Sequence, residues 1–159
     1  MASYQILDYH LALRAFGTEE DTKEMITLFA RERHFGQLVE DLHKNIMAMN
    51  MLGIRTSCYN IRCAFSYLTY PETINIINEI SEATWQKDQQ KLIHLHLIFL
   101  RKCLILHREL EGYLQRPVSS PDIKEWVGEC LKELKIKDKV KEFEGEAQHQ
   151  ASCPGCNIF

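Results

Sequence analysis

The sequence predicts an all-α protein, a single-domain helical bundle of about six or seven helices around one long central helix. Three observations favour this class. The chain has 159 residues, of which 45% are hydrophobic, enough for one buried core. Only seven glycines and four prolines interrupt it. Apolar residues recur at intervals of three and four over long stretches, as in a helix. An α-solenoid is the alternative architecture.

The first two helices are predicted from their ends. Ser3 is a candidate N-cap for a first helix that contains Ile6 and Leu7 and ends at Gly17. Thr18 is then the N-cap of a second helix, because its hydroxyl can accept a backbone N–H. Three acidic residues follow Thr18 in the first turn, where the helix dipole favours negative charge.

The middle of the chain predicts three more helices. A third is expected to end at Gly53, and Thr56 or Ser57 is expected to begin a fourth. Pro71 ends the fourth helix and serves as the first residue of a fifth. Residues 58–70 are rich in β-branched and aromatic side chains, so a strand is the main competing structure there.

The central helix is predicted over residues 87–115. Its apolar residues form two adjacent stripes, so most of its circumference should be buried. Arg101 and Lys102 interrupt the apolar run, which excludes a membrane span of roughly 20 apolar residues. Arg116 precedes a proline and therefore ends the helix. The stripes comprise Leu92, Phe99, Cys103, Leu106, Leu110 and Tyr113, and Ile93, Leu97, Leu100 and Leu104.

A last helix is predicted after a linker that ends in Ser120 and Pro121. We therefore divide the chain into a helical domain (1–135), a charged helical extension (136–148) and a flexible tail (149–159) that is expected to be disordered. The apolar face of the last helix comprises Ile123, Trp126, Val127, Cys130, Leu131 and Leu134.

The sequence predicts a cytoplasmic protein. The N-terminus lacks the basic-then-apolar pattern of a secretory signal, so the six cysteines are expected to be reduced thiols. The net charge of −3 predicts no polyanionic partner by itself.

The most specific motif is the last four residues, Cys156-Asn157-Ile158-Phe159, which resemble the C-a-a-X prenylation box. A terminal phenylalanine is similar to the geranylgeranyl variant of that box, although Asn157 departs from the usual aliphatic residue. One prenyl chain gives only marginal membrane affinity, and Cys153 could carry a second lipid. The competing explanation is a chance match in a disordered tail. Lipidation at Cys156 would place the protein peripherally on a cytoplasmic membrane face.

The same cysteines allow a weaker zinc hypothesis. His149, Cys153 and Cys156 have metal-ligand spacing, but a structural zinc site needs four ligands and no second C-x-x-C is present. A redox C-x-x-C is expected at a strand-to-helix junction and not in a tail. We therefore predict neither a resident metal nor another cofactor.

A basic stripe follows the polar side of the central helix. Lys87, His94, Arg101 and Arg108 recur every seven residues, with Lys91 beside them. This stripe could bind RNA phosphates. A solvated face, or pairing with the acidic helices of residues 1–53, is the favoured interpretation, because aromatic residues are not interleaved with the cations.

No motif predicts an enzyme. The sequence lacks a glycine-rich phosphate loop, H-E-x-x-H and G-x-S-x-G. His96 and His107 lie three turns apart, roughly 16 Å, and cannot share a metal ion. His96 falls on the apolar stripe and is predicted to be a hydrogen-bonded core histidine.

The segment Leu13–Glu19 (LRAFGTE) is similar to the short BH3 pattern of the Bcl-2 family. That resemblance would imply a Bcl-2-like regulator. The family's Asn-Trp-Gly-Arg box is absent, and Gly17-Thr18 is better explained as the boundary between two helices.

The sequence therefore predicts a non-enzymatic adaptor that binds another macromolecule, with a protein as the main partner and a prenylated tail as membrane tether. The alternative is an RNA-binding helical oligomer of the viral accessory type. A zinc-binding tail and a Bcl-2-like regulator are lesser alternatives.

Overall fold

The structure, a computed structural model, describes residues 4–31, 34–118 and 122–135, and these residues form an all-α helical bundle. The seventh helix, α7, covers residues 123–135 and reaches the edge of the described chain. The predicted linker residues Ser120 and Pro121, the charged extension and the tail lie outside the described residues. The first six helices are α1 (Tyr9–Phe16), α2 (Glu19–Phe29), α3 (Phe35–Met47), α4 (Met51–Phe65), α5 (Pro71–Gln86) and α6 (Gln89–Leu114).

Helix α6 is the central helix that the sequence predicts. Its 26 residues span about 39 Å, and it packs against α2, α3 and α5. Asp88 caps its first turn, and Gln115 ends it in the left-handed conformation. The predicted start of the central helix at Lys87 is wrong, because Lys87 is the C-cap of α5 and does not lie on α6. The buried residues are Leu92, Ile93, Leu95, His96, Leu97, Phe99, Leu100, Cys103, Leu106 and Leu110.

Four phenylalanines join the helices at the centre of the core. Phe65 of α4 lies 5.2 Å from Phe29, 6.3 Å from Phe35 and 5.9 Å from Phe99, measured between ring centroids. These residues belong to α2, α3, α4 and α6, so one aromatic cluster fixes four elements relative to each other. Each offset or edge-on aromatic pair contributes more stabilising free energy than the burial of its surface area alone.

The N-terminal segment is not helical, although the sequence predicts that the first helix contains Ile6 and Leu7. Ile6 and Leu7 lie before α1, whose N-cap is Asp8, and Ser3 lies outside the described residues. Leu7 forms an isolated bridge with Thr69, and the Tyr70 N–H donates to the Ile6 carbonyl at 3.0 Å. Long-range hydrogen bonds therefore override the local apolar pattern in this segment.

The boundary between α3 and α4 is also corrected. Helix α3 ends at Met47, and Asn50, not Thr56 or Ser57, caps α4. Gly53 lies inside the first turn of α4, where its N–H donates to the Asn50 side chain. The Thr18 cap, the stop at Gly17 and the start of α5 at Pro71 are confirmed. Residues 58–65 are helical, so the competing strand is not formed there.

Candidate functional site

A buried pair of histidines lies where α3, α6 and α7 meet. His43 extends from the apolar face of α3, and His96 lies on the buried side of α6. Nδ1 of His43 and Nε2 of His96 are 3.0 Å apart, and the ring centroids are 5.3 Å apart. Solvent reaches 3% of His43 and none of His96, so the contact is in the dry core.

Glu129 of α7 determines the direction of the hydrogen bond at Nε2 of His43. Its carboxylate oxygen lies 2.7 Å from Nε2 of His43, and a carboxylate can only accept. His43 therefore donates its Nε2–H to Glu129, and in the neutral form of His43 its Nδ1 accepts the Nε2–H of His96. Within the described chain, Nδ1 of His96 has no hydrogen-bond partner. His96 is thus a core histidine as predicted, but it is not fully hydrogen-bonded.

Burial keeps His96 uncharged. Removal of the ring from water, together with the neighbouring imidazole of His43, lowers the pKa of His96 to about 3. The ring is therefore a neutral imidazole at physiological pH, with a lone pair in the apolar core.

Helix α7 closes the histidine pair from the outside. The Trp126 ring stacks on His43 with centroids 5.0 Å apart and an interplanar angle of 17°. Cys130, one turn further along α7, is buried. One ligand atom each from His43, His96 and Cys130 lie within 4.8 Å of one another. Burial, and secondarily the charge of Glu129, raises the pKa of the Cys130 thiol to about 11. We call these five residues the histidine cluster.

An apolar groove runs between α2 and α4. It has a volume of about 380 Å³, and its walls are almost wholly apolar. Met25 and Tyr67 at the groove are 39% and 55% exposed, and Cys63 is also exposed. We call it the α2–α4 groove. Its lining residues are Phe16, Met25, Leu28, Phe29, His34, Cys63, Ala64, Tyr67 and Leu68.

The basic stripe is exposed along its length. Lys91, His94, Arg101 and Arg108 lie on the solvent side of α6 and span about 26 Å, and Lys87 precedes them in the connection from α5. Across the described ranges, none of these residues forms an ion pair with an acid. The expected pairing with the acidic helices of residues 1–53 is therefore not seen in this part of the chain.

The acids that flank the stripe bind elsewhere. Glu109 accepts the backbone N–H groups of Gln5, Ile6 and Leu7, the last two at 3.0 and 2.8 Å. Glu111 accepts the Val118 N–H at 3.2 Å. These carboxylates hold the segments before α1 and after α6, and they are not directed at the stripe.

No protein-family model, curated protein or solved structure matches this chain.

The predicted lipidation and zinc residues of the tail, His149, Cys153 and Cys156, lie outside the described residues. His107 donates its Nε2–H to the Val118 carbonyl, 2.9 Å away, and belongs to no candidate metal-binding group among the described residues. Where the chain is described, no helix combines the length and apolar composition that a membrane crossing requires.

The BH3-like segment is divided between two helices. Helix α1 ends at Phe16, Gly17 has a φ of 90°, and α2 begins at Glu19. The boundary interpretation of Gly17-Thr18 is therefore confirmed.

The sequence predicted neither the histidine cluster nor the α2–α4 groove. His43 follows Val39 and Leu42 at helical spacing and precedes Ile46, which places it on the buried face of α3. That spacing could have indicated that His43 is a buried polar residue. No local pattern indicates that α6 and α7 bring His96 and Cys130 to the same point, because these contacts join distant parts of the chain.

Proposed function

We propose that this protein is a non-enzymatic binding module that holds the apolar face of a partner's amphipathic helix in the α2–α4 groove. The groove's volume of about 380 Å³ falls in the range of ligand-binding clefts, roughly 300–1,000 Å³. A groove of this size accommodates a few large side chains at helical spacing, which is how grooves between helices hold amphipathic helices. This apolar groove is the observation that carries the proposal.

The exposed side chains of the groove support a protein partner. Met25 and Tyr67 present large apolar surfaces to water next to a cavity with few polar groups. Contiguous exposed apolar surface is typical of interaction sites. Methionine adapts its shape to a ligand, and tyrosine contributes a large contact area with little loss of conformational freedom.

Selection from a displayed library of amphipathic helices tests the proposal. We expect binders with apolar residues at i, i+3 or i+4 and i+7. Their binding should be lost with Met25→Glu plus Tyr67→Glu, because buried carboxylates would have to shed water in the groove. Leu52→Glu is the matched control: Leu52 is 70% exposed and lies at the opposite end of α4 from Tyr67. Binders that respond equally to both variants would contradict the proposal.

The same proposal includes a lipid tether at Cys156, which would bring the bound partner to a cytoplasmic membrane surface. The C-a-a-X-like ending supports it, and Cys153 offers a site for a second lipid. Intact-mass spectrometry of protein from eukaryotic cells should show an added prenyl group and loss of the last three residues. The Cys156→Ser variant should show neither change. An unmodified Cys156 with residues 157–159 retained would remove the membrane part of the proposal.

RNA binding is the second candidate function, favoured by the cations of the basic stripe, which form no ion pair with the described acids. Arg101 and Arg108 are exposed, and the neighbouring acids Glu109 and Glu111 bind backbone N–H groups. A row of uncompensated cations on a rigid helix attracts phosphates. We expect a salt-sensitive gel shift with RNA that disappears with Arg101→Glu plus Arg108→Glu and persists with Lys132→Glu. No shift at low salt would rule against this function.

A further inference from the structure

We propose that His43, His96 and Cys130 bind one zinc ion at the junction of α3, α6 and α7. The three side chains come from separate helices, all three are buried, and one ligand atom of each lies within 4.8 Å of the others. Two imidazoles and a thiolate are a nitrogen and sulfur donor set that suits zinc. This site is distinct from the tail residues that the sequence marked as weak zinc ligands.

The distance between the two imidazoles is close to that of a zinc site. Two nitrogens that each lie about 2.0–2.1 Å from a tetrahedral zinc are about 3.3–3.4 Å apart. Nδ1 of His43 and Nε2 of His96 are already 3.0 Å apart. The rings therefore need to separate by only a few tenths of an ångström, while Cys130 closes the remaining distance by changing its side-chain rotamer.

Glu129 provides the support that metal-binding histidines usually have. A ligating histidine commonly donates its other ring N–H to a carboxylate, which fixes the ring and makes it a stronger ligand. Glu129 accepts from Nε2 of His43 at 2.7 Å, which leaves Nδ1 as the nitrogen that faces the ion. Trp126 stacks on the same ring and fixes its plane.

Zinc would replace the hydrogen bond between the two imidazoles. Nε2 of His96 faces the ion, and Nδ1 of this fully buried ring, which has no hydrogen-bond partner among the described residues, stays as it is.

The charges balance when zinc binds. The Cys130 thiol releases one proton to solvent and becomes a thiolate, and the two imidazoles bind as neutral ligands. The thiolate and the Glu129 carboxylate together carry two negative charges against the two positive charges of Zn²⁺. The three protein ligands leave a fourth position for water, and Glu129, whose side chain is 42% exposed, marks the side that solvent can reach.

A cobalt and zinc titration tests the site. The full chain carries Cys153→Ser and Cys156→Ser so that the tail cannot supply thiolates, and the protein is first stripped with a chelator. We expect one equivalent of Co²⁺ to give thiolate-to-cobalt charge-transfer absorption, and Zn²⁺ to displace it. Zinc should also raise the midpoint of thermal unfolding. An absence of thiolate absorption in this folded protein would overturn the proposal, whatever the variants do.

Variants then assign the ligands. In the same background, Cys130→Ala should abolish the charge-transfer absorption and weaken zinc binding at least 100-fold. Cys103→Ala, which removes a buried thiol of α6 outside the cluster, should change neither. Glu129→Gln should weaken binding by about 10–100-fold without abolishing it, because Glu129 orients His43. If Cys130→Ala fails to fold, His43→Gln replaces it. Thiolate absorption that persists in a folded Cys130→Ala or His43→Gln protein would contradict the site.

Discussion

Cys63 is exposed in the α2–α4 groove, while Cys58 and Cys103 are buried in the core. Burial raises the pKa of the Cys58 thiol to about 12 and that of Cys103 well above its usual value. Both thiols should therefore remain protonated and unreactive even at mildly alkaline pH, where an exposed cysteine forms its thiolate.

We predict that an alkylating reagent modifies Cys63 of the native protein rapidly, and Cys58 and Cys103 only after a denaturant is added. Peptide mass spectrometry of the time course measures the three rates. Modification of Cys103 at the rate of Cys63 would show that the buried face of α6 is open to solvent.

Glu109 anchors the N-terminal segment by accepting three consecutive backbone N–H groups. We predict that Glu109→Ala lowers the free energy of unfolding by about 2 kcal/mol, because hydrogen bonds to a charged group are among the stronger ones. Urea unfolding measures the change, and hydrogen exchange of residues 5–7 should accelerate.

The control is Glu79→Ala, which removes an exposed carboxylate of α5. It should change the free energy of unfolding by no more than about 0.5 kcal/mol. Equal effects of the two substitutions would show that the segment is not held by Glu109.

At the scale of the helices, the two asparagines at the α3–α4 junction leave no room for a Cβ at Gly53 unless their side chains shift. A Cβ at Gly53 would overlap the side-chain amide of Asn45 and lie 2.6 Å from Nδ2 of Asn50. These asparagines also bond to each other, and Asn50 caps α4. Gly53→Ala should therefore disturb the cap and its hydrogen bonds.

We predict that Gly53→Ala lowers the free energy of unfolding by about 1 kcal/mol, since the loss of the cap outweighs the better helix propensity of alanine. Gly112→Ala is the matched control. It lies in α6 with open space around it and should raise stability by about 0.5–1 kcal/mol. Thermal or urea unfolding of both variants measures the sign, and a stabilised Gly53→Ala would contradict the described junction.

The helix ends show which features a sequence can predict. Thr18 and Pro71 act through neighbouring residues, so their roles follow from local chemistry. The start of α1 does not follow from local chemistry, because Glu109, more than 100 residues away, holds residues 5–7 outside the helix. Gly53 resembles a helix stop in the sequence, but it lies within the first turn of α4, where Asn50 accepts its N–H.

At the scale of the whole molecule, the long buried helix was predictable and the sites were not. The 26 residues of α6 carry a periodic apolar pattern that needs no knowledge of its neighbours. The α2–α4 groove and the histidine cluster each depend on how separate helices are arranged. The places of Cys63 in the groove and of His43 in the cluster depend on side chains of other elements.

The two proposed sites lie in different parts of the bundle, the binding groove on one face and the zinc site in the interior. The two sites do not share a lining residue, since the groove lies between α2 and α4 and the cluster lies among α3, α6 and α7. Zinc binding in the interior would therefore stabilise the bundle without blocking the groove. A chelator should lower thermal stability and leave the affinity for a groove-bound helix unchanged in the protein that remains folded.

Protection of Cys63 tests the binding face most directly, because this thiol lines the α2–α4 groove and is exposed in the free protein. The measurement is its alkylation rate in the Cys153→Ser, Cys156→Ser protein, with and without a saturating amphipathic helix from the selection. A helix seated in the groove should slow alkylation at least tenfold in the wild-type groove and have no effect in the Met25→Glu, Tyr67→Glu protein. An unchanged rate at saturation would show that the helix binds elsewhere and would contradict the assignment of this groove as the binding site.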